Sequence, residues 1–123
     1  MPRPILSESH IHLSIRDRIA SLHQDIVTEV QTAIVKHPVV VVGMSQNPAP
    51  RKARQLLDQA GIPYHYLEYG SYFSQWRRRN ALKMWTGWPT FPMVFVKGTL
   101  IGGASDLEAL LSNGHLKLLL SAD

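Results

Sequence analysis

Between Ser14 and Lys36 the apolar residues Ile15, Ile19, Leu22, Ile26, Val30, Ala33 and Ile34 recur at three- and four-residue spacings. That period gathers them on one face of an amphipathic helix, which His37-Pro38 ends. Val39 to Val42 follow as an unbroken β-branched run, the pattern of a strand buried on both faces and therefore central in its sheet. After the loop from Gly43 to Arg51, Lys52 to Ala60 predicts a helix closed by Gly61, and prolines at a helix front are tolerated there. Ile62 to Glu68 predicts a second strand, entered through Pro63 and so expected at a sheet edge. Ser71 to Trp85 predicts a further helix. Met93 to Val96 and Thr99 to Ile101 are short β-favouring runs joined by a Lys97-Gly98 turn, which is a hairpin pattern. Pro92 stands at the first strand position, where its missing N–H is tolerated, and the Phe91-Pro92 bond is expected to be cis. Gly102-Gly103 ends the hairpin before Ser105 to Glu108, where a side-chain oxygen can cap a helix and its free N–H groups can meet an anion.

The order helix, strand, helix, strand, helix, hairpin, helix is an α/β order. Through a helical crossover the first two strands are expected parallel, and the hairpin strands antiparallel. Residues up to about His12 carry two prolines and no periodicity, which reads as a loose arm.

Composition narrows the chemistry further. A chain of 123 residues suits one core. It contains no cysteine, so disulfides, thiolate nucleophiles and cysteine-held metals are excluded. The formal charge of +4 is too modest to argue for nucleic acid over an ordinary solvated surface. The opening residues lack the apolar core of a signal peptide, and no run approaches membrane-spanning length. The expected compartment is the cytoplasm.

The run from Thr86 to Gly103, with its Trp88-Pro89 pair, Thr90-Phe91-Pro92, the strand Val94-Phe95-Val96, the Lys97-Gly98 turn and Ile101-Gly102-Gly103, resembles the C-terminal half of the glutaredoxin family. It is most similar to the monothiol class with a Cys-Gly-Phe-Ser active site. Asp25 to Val42 resembles the family's first helix and strand, so residues 1–24 read as an N-terminal arm with the start of the first helix, and residues 25–123 as the domain itself. The resemblance implies a thioredoxin-like fold, a central four-stranded mixed sheet flanked by helices, here with an N-terminal helical extension.

It also implies a glutathione site, and the sequence departs from the family where the chemistry is defined. Asn47 stands where the nucleophilic cysteine would be, Pro50 where the resolving cysteine or monothiol serine would be, and Met44 where a lysine would be. Neither an amide nor a proline becomes a thiolate, so thiol–disulfide exchange is not expected. Nor is an iron–sulfur cluster, which the monothiol class holds through its cysteine and glutathione. Other positions match. Arg79 falls at the spacing before Pro92 where the monothiol class carries an arginine for the glycyl carboxylate, a task suited to a guanidinium. Phe91 is expected to offer its backbone to the cysteinyl unit. Ala104, Ser105 and Asp106 match the segment for the γ-glutamyl end, with Asp106 receiving the ammonium group.

Plainer readings compete at several of these positions. Arg77 to Arg79 is a charge run, which on a helix is commonly a solvated face. Trp85 and Trp88 read as packing residues. His10 and His12 form a feasible metal pair only if further ligands join them. Tyr64, Tyr66, Tyr69, Tyr72, Phe73 and Trp76 beside three arginines resemble a stacking surface for single strands, although sheet and helix packing explains them more simply. The leading expectation is a redox-inactive module for glutathione or a thiol peptide. The alternatives are a module that docks a partner protein's extended segment on a face rimmed by Trp88 and Phe91, and a glutathione-using transferase in which Ser45 or Asn47 orients a ligand thiol.

Overall fold

A computed structural model describes residues 3–71 and 74–121. The arm contains one short 3-10 turn, Glu8–His10, before helices α1 (Leu13–Ser21) and α2 (Gln24–Lys36). Strand β1 (Val39–Gly43), helix α3 (Pro48–Gln59), strand β2 (His65–Glu68) and helix α4 (Trp76–Thr86) follow, then the hairpin β3 (Met93–Val96) and β4 (Thr99–Gly102), and helices α5 (Ala104–Ser112) and α6 (His115–Ser121).

The sheet order is β2-β1-β3-β4. β1 is central, parallel to β2 and antiparallel to β3, while β2 lies at an edge as its entering proline requires. Alternation along β1 builds two cores. Val40 and Val42 join Met93 and Phe95 under α2 and α4, whereas Val39 and Val41 join Val94 and Val96 under α3, α5 and α6. All four valines are buried, which is why the run carries no polar face. Lys97 and Gly98 both have positive φ, the conformation that a two-residue hairpin turn of matching twist needs.

The periodic segment from Ser14 to Lys36 is two helices rather than one. Leu22 is extended and His23 left-handed, with φ 47°, so the chain turns between α1 and α2. An unbroken helix of that length is about 34 Å long and overshoots the sheet. The break lets α2 bury Ile26, Val30 and Ala33 against the sheet while α1, with no fully buried residue, lies outside it. The third predicted helix also begins later than expected, at Trp76. Ser71 and Ser74 instead close a local turn, with the Ser71 N–H donating to Ser74 Oγ at 3.0 Å. Tyr72 and Phe73 lie outside the described residues.

The tyrosines before that turn are tied to carboxylates. Tyr66 donates to Glu68 at 3.1 Å with the Arg54 guanidinium 4.2 Å above its ring, and Tyr69 donates to Glu29 at 2.7 Å. Burial, then the bond to Glu68, pushes the Tyr66 phenol from its ordinary 10.0 up to about 12. A group held protonated by the fold contributes its full stability below the unfolded pKa and loses it as pH rises through the folded one. Denaturant midpoints are therefore expected to fall between pH 10 and about 12, and to fall less in Tyr66→Phe. Parallel curves for the two proteins would contradict this assignment.

Candidate functional site

Sheet register brings three loops to one end of the sheet. Val42 faces Met93 and Val94 faces Gly102, so the exit of β1, the entry of β3 and the exit of β4 converge there. Helices α3 and α5 both start at that end. The loop from Met44 to Asn47, the Phe91-Pro92 pair and the segment Gly103 to Asp106 are thereby neighbours.

Asn47 is the N-cap of α3, its Oδ1 accepting the Ala49 N–H at 3.0 Å. Pro48 takes the first helical position, which lacks an intrahelical partner for an N–H anyway. Pro50 is buried against Gly43, where an added Cβ would come within 2.7 Å of the proline Cβ. Met44 packs in the core under α2 and α4 and presents nothing to a ligand. The loop between Met44 and Asn47 is fixed by Ser45, whose N–H and Oγ both donate to the Gly70 carbonyl, at 2.7 and 2.9 Å.

Phe91-Pro92 is cis. The Phe91 ring is buried in the core, so it forms no rim for a docking face; what this residue can offer is its backbone. Among the described residues, neither its N–H nor its C=O enters a turn or cap hydrogen bond. Opposite, Gly103 caps α5, and its N–H donates to Asp106 Oδ2 at 2.9 Å. The helix thus starts one residue earlier than the pattern suggested, with its cap reaching back from inside the first turn. Ala104 is buried, while Ser105 and Asp106 are exposed. An added Cβ on Gly103 would sit 3.5 Å from the Pro92 carbonyl and 3.9 Å from Trp88 Nε1.

Arg79 is only 6% exposed. Its Nη1 donates to the Tyr69 carbonyl at 2.9 Å and to the Ser74 carbonyl, so it stands behind the site as a clamp on the loop after β2. Burial lowers its pKa from the ordinary guanidinium value. The charge run is not uniform: Arg78 pairs with Asp25 at 2.8 Å, and Arg77 lies over the Trp76 ring.

One side chain at this end escaped the sequence reading. Lys83 Nζ lies 5.8 Å from the Phe91 ring and forms no ion pair among the described residues. It is four residues beyond Arg79, hence on the same helix face, and that spacing was the available signal. Trp88 packs against the core as expected, yet its indole Nε1 is a buried donor without a partner among the described residues. A buried indole N–H ordinarily finds a protein, water or ligand acceptor. A thiolate-held cluster does not fit here, since the chain has no cysteine and Asn47 is engaged in its cap. Among the described residues no three His, Asp or Glu side chains are placed to hold a metal ion; His12 Nδ1 instead accepts the Ser14 N–H.

The Glutaredoxin family profile matches residues 39–101. A glutaredoxin-like protein of Dictyostelium discoideum is 48% identical over 103 residues, covering 84% of each chain. Oxidized glutaredoxin 2 of Chlamydomonas reinhardtii is similar in structure with a TM-score of 0.67 at 31% identity, covering 80% of this chain and 92% of that one. A buckwheat glutaredoxin–glutathione complex shares the fold, with a TM-score of 0.69 at 24% identity, covering 82% and 92% of the two chains. Among the described residues no helix is long and apolar enough to cross a membrane.

Proposed function

The chain belongs to the glutaredoxin family, and from that premise we propose that it binds glutathione or a γ-glutamyl thiol peptide without exchanging thiols for disulfides. The observation that carries this reading is the pairing of a Phe91 backbone uncommitted among the described residues with the start of α5, at the same sheet end as an Asn47 whose carboxamide is already engaged. An extended ligand lies along Phe91 and pairs with its N–H and C=O in the manner of an added strand. The γ-glutamyl end meets the free N–H groups of Ala104 and Ser105, where the helix dipole favours a carboxylate. Asp106 keeps one oxygen for the ligand's ammonium group, the other being held by the Gly103 N–H. Lys83 supplies positive charge for the glycyl carboxylate, while Arg79, buried on the Tyr69 and Ser74 carbonyls, holds the loop behind it. Trp88 Nε1 donates to whichever ligand oxygen settles beside Gly103.

The ligand's own thiol meets no nucleophile. Asn47 neither forms a mixed disulfide nor supplies a base, so the bound thiol leaves as it came. Losing the family's lysine at Met44 removes one charge-assisted contact of about 1.5–3 kcal/mol, enough to weaken binding roughly tenfold or more. Calorimetric titration with S-methylglutathione is expected to show millimolar-range binding, reversed by γ-glutamyl peptides. Turnover of a glutathione mixed disulfide at the rate of buffer should accompany it. Heat-silent titration, or turnover above buffer, would overturn the reading.

A further inference from the structure

The break between α1 and α2 carries a chemical signal besides its backbone turn. Arg16-Asp17-Arg18-Ile19-Ala20-Ser21-Leu22 puts arginines three and five residues before a serine and an apolar residue directly after it. No other serine or threonine of the chain has an arginine three residues before it. That spacing suits the substrate groove of an arginine-directed protein kinase, whose carboxylates pair with each guanidinium in turn.

The fold presents this segment instead of hiding it. Ser21 is exposed on the last turn of α1, its Oγ donating to the Asp17 carbonyl at 2.7 Å. Arg18 is exposed and holds no ion pair among the described residues, while the hydrogen bond of Arg16 runs from its Nε to the Ile11 carbonyl at 2.7 Å. Leu22 is 48% exposed and already extended. A kinase takes its substrate as an extended chain, so the end of α1 has to open. With nine residues and none buried, α1 is shorter than the roughly 12–15 that an isolated helix needs in water, and opening it costs the fold little.

We propose that Ser21 is a phosphorylation site for an arginine-directed protein kinase, and that its phosphate unwinds the end of α1. In the transfer Ser21 Oγ bonds to the γ-phosphorus of ATP as the bond from that phosphorus to the bridging oxygen breaks. ADP leaves, and the hydroxyl proton passes to the kinase's catalytic carboxylate. The resulting ester oxygen has no hydrogen to donate, so the bond to the Asp17 carbonyl is lost. The phosphate also stands at the negative end of the α1 dipole and four residues from the Asp17 carboxylate, and both repel it. Two residues on, His23 opens α2 with no side-chain cap bond, so the start of α2 offers the phosphate N–H groups in exchange.

The test treats the folded full chain with ATP and the purified catalytic subunit of an arginine-directed kinase, and locates phosphate by mass spectrometry of its peptides. Stoichiometric phosphate on Ser21 is expected, with kcat/KM lowered about tenfold or more in Arg18→Ala and further when Arg16→Ala is added. Ser21→Ala should take up none. Amide hydrogen exchange of the phosphorylated chain should be about threefold or more faster in the last turn of α1, and unchanged in β1 and β3. Phosphate elsewhere in preference to Ser21, transfer at an undiminished rate in Arg18→Ala, or transfer to Ser21 in the denatured chain alone overturns the site. A phosphorylated α1 that exchanges no faster overturns the unwinding.

Discussion

Arg79→Ala is expected to lower the unfolding free energy by about 3–5 kcal/mol, from two charge-assisted hydrogen bonds of roughly 1.5–3 kcal/mol each. The side chain is buried and its Nη1 serves the Tyr69 and Ser74 carbonyls together. Removing it strands both acceptors. The effect travels, because the next carbonyl along, that of Gly70, holds Ser45 by two bonds and so fixes the loop that precedes Asn47. Arg79→Lys keeps the charge but loses the planar fork, and should recover only part of the loss. Urea unfolding measures both variants. A loss below about 1 kcal/mol for Arg79→Ala, the size of an ordinary surface change, would show that the clamp is not structural.

Asn47→Cys is expected to turn a chain without thiol chemistry into one with a reactive thiolate. The position is the N-cap of α3, where N–H groups and the helix dipole favour the anion, and cysteines at helix N-termini have pKa values well below the free value of about 8.5. A shift to about 7 would raise the thiolate fraction at neutral pH by roughly tenfold or more. Replacing the capping amide costs about 1 kcal/mol in stability, which a folded domain tolerates. With Met44 buried and supplying no cation, activity should remain below that of an intact dithiol enzyme, and Pro50 leaves the new thiol without a resolving partner. The rate of reaction with glutathione disulfide against pH gives both the pKa and the gain. A thiol titrating near 8.5 would contradict the idea that this helix start still favours a thiolate.

The fold was legible because its strongest signals were local and periodic. Four valines in a row, the Lys97-Gly98 turn and the Gly102-Gly103 ending each admit few backbone solutions, and the sheet adopts them. What sequence could not supply was direction. Ser14 to Lys36 keeps a helical period straight through His23, since a left-handed residue leaves no mark on periodicity when it is neither glycine nor asparagine. Arg79 and Lys83 share a helix face, yet only tertiary packing turns one inward to backbone carbonyls and leaves the other beside Phe91. Likewise the Phe91 ring and Met44 are apolar residues that pattern alone leaves free to face either core or ligand, and both face the core. Asn47 was visible as a lost nucleophile; its new work as a cap depends on where α3 starts, which Pro48 allowed to begin four residues before the predicted helix.

The most direct test of glutathione binding without thiol exchange is an amide-shift titration of the full chain with reduced glutathione. Saturable shifts are expected at Phe91, Ala104, Ser105 and Asp106 and at the Trp88 indole N–H, with a millimolar-range Kd and unchanged glutathione recovered. If those signals stay still at saturating glutathione, while the protein remains folded, the ligand site is vestigial and the reading of this sheet end as a glutathione module is wrong.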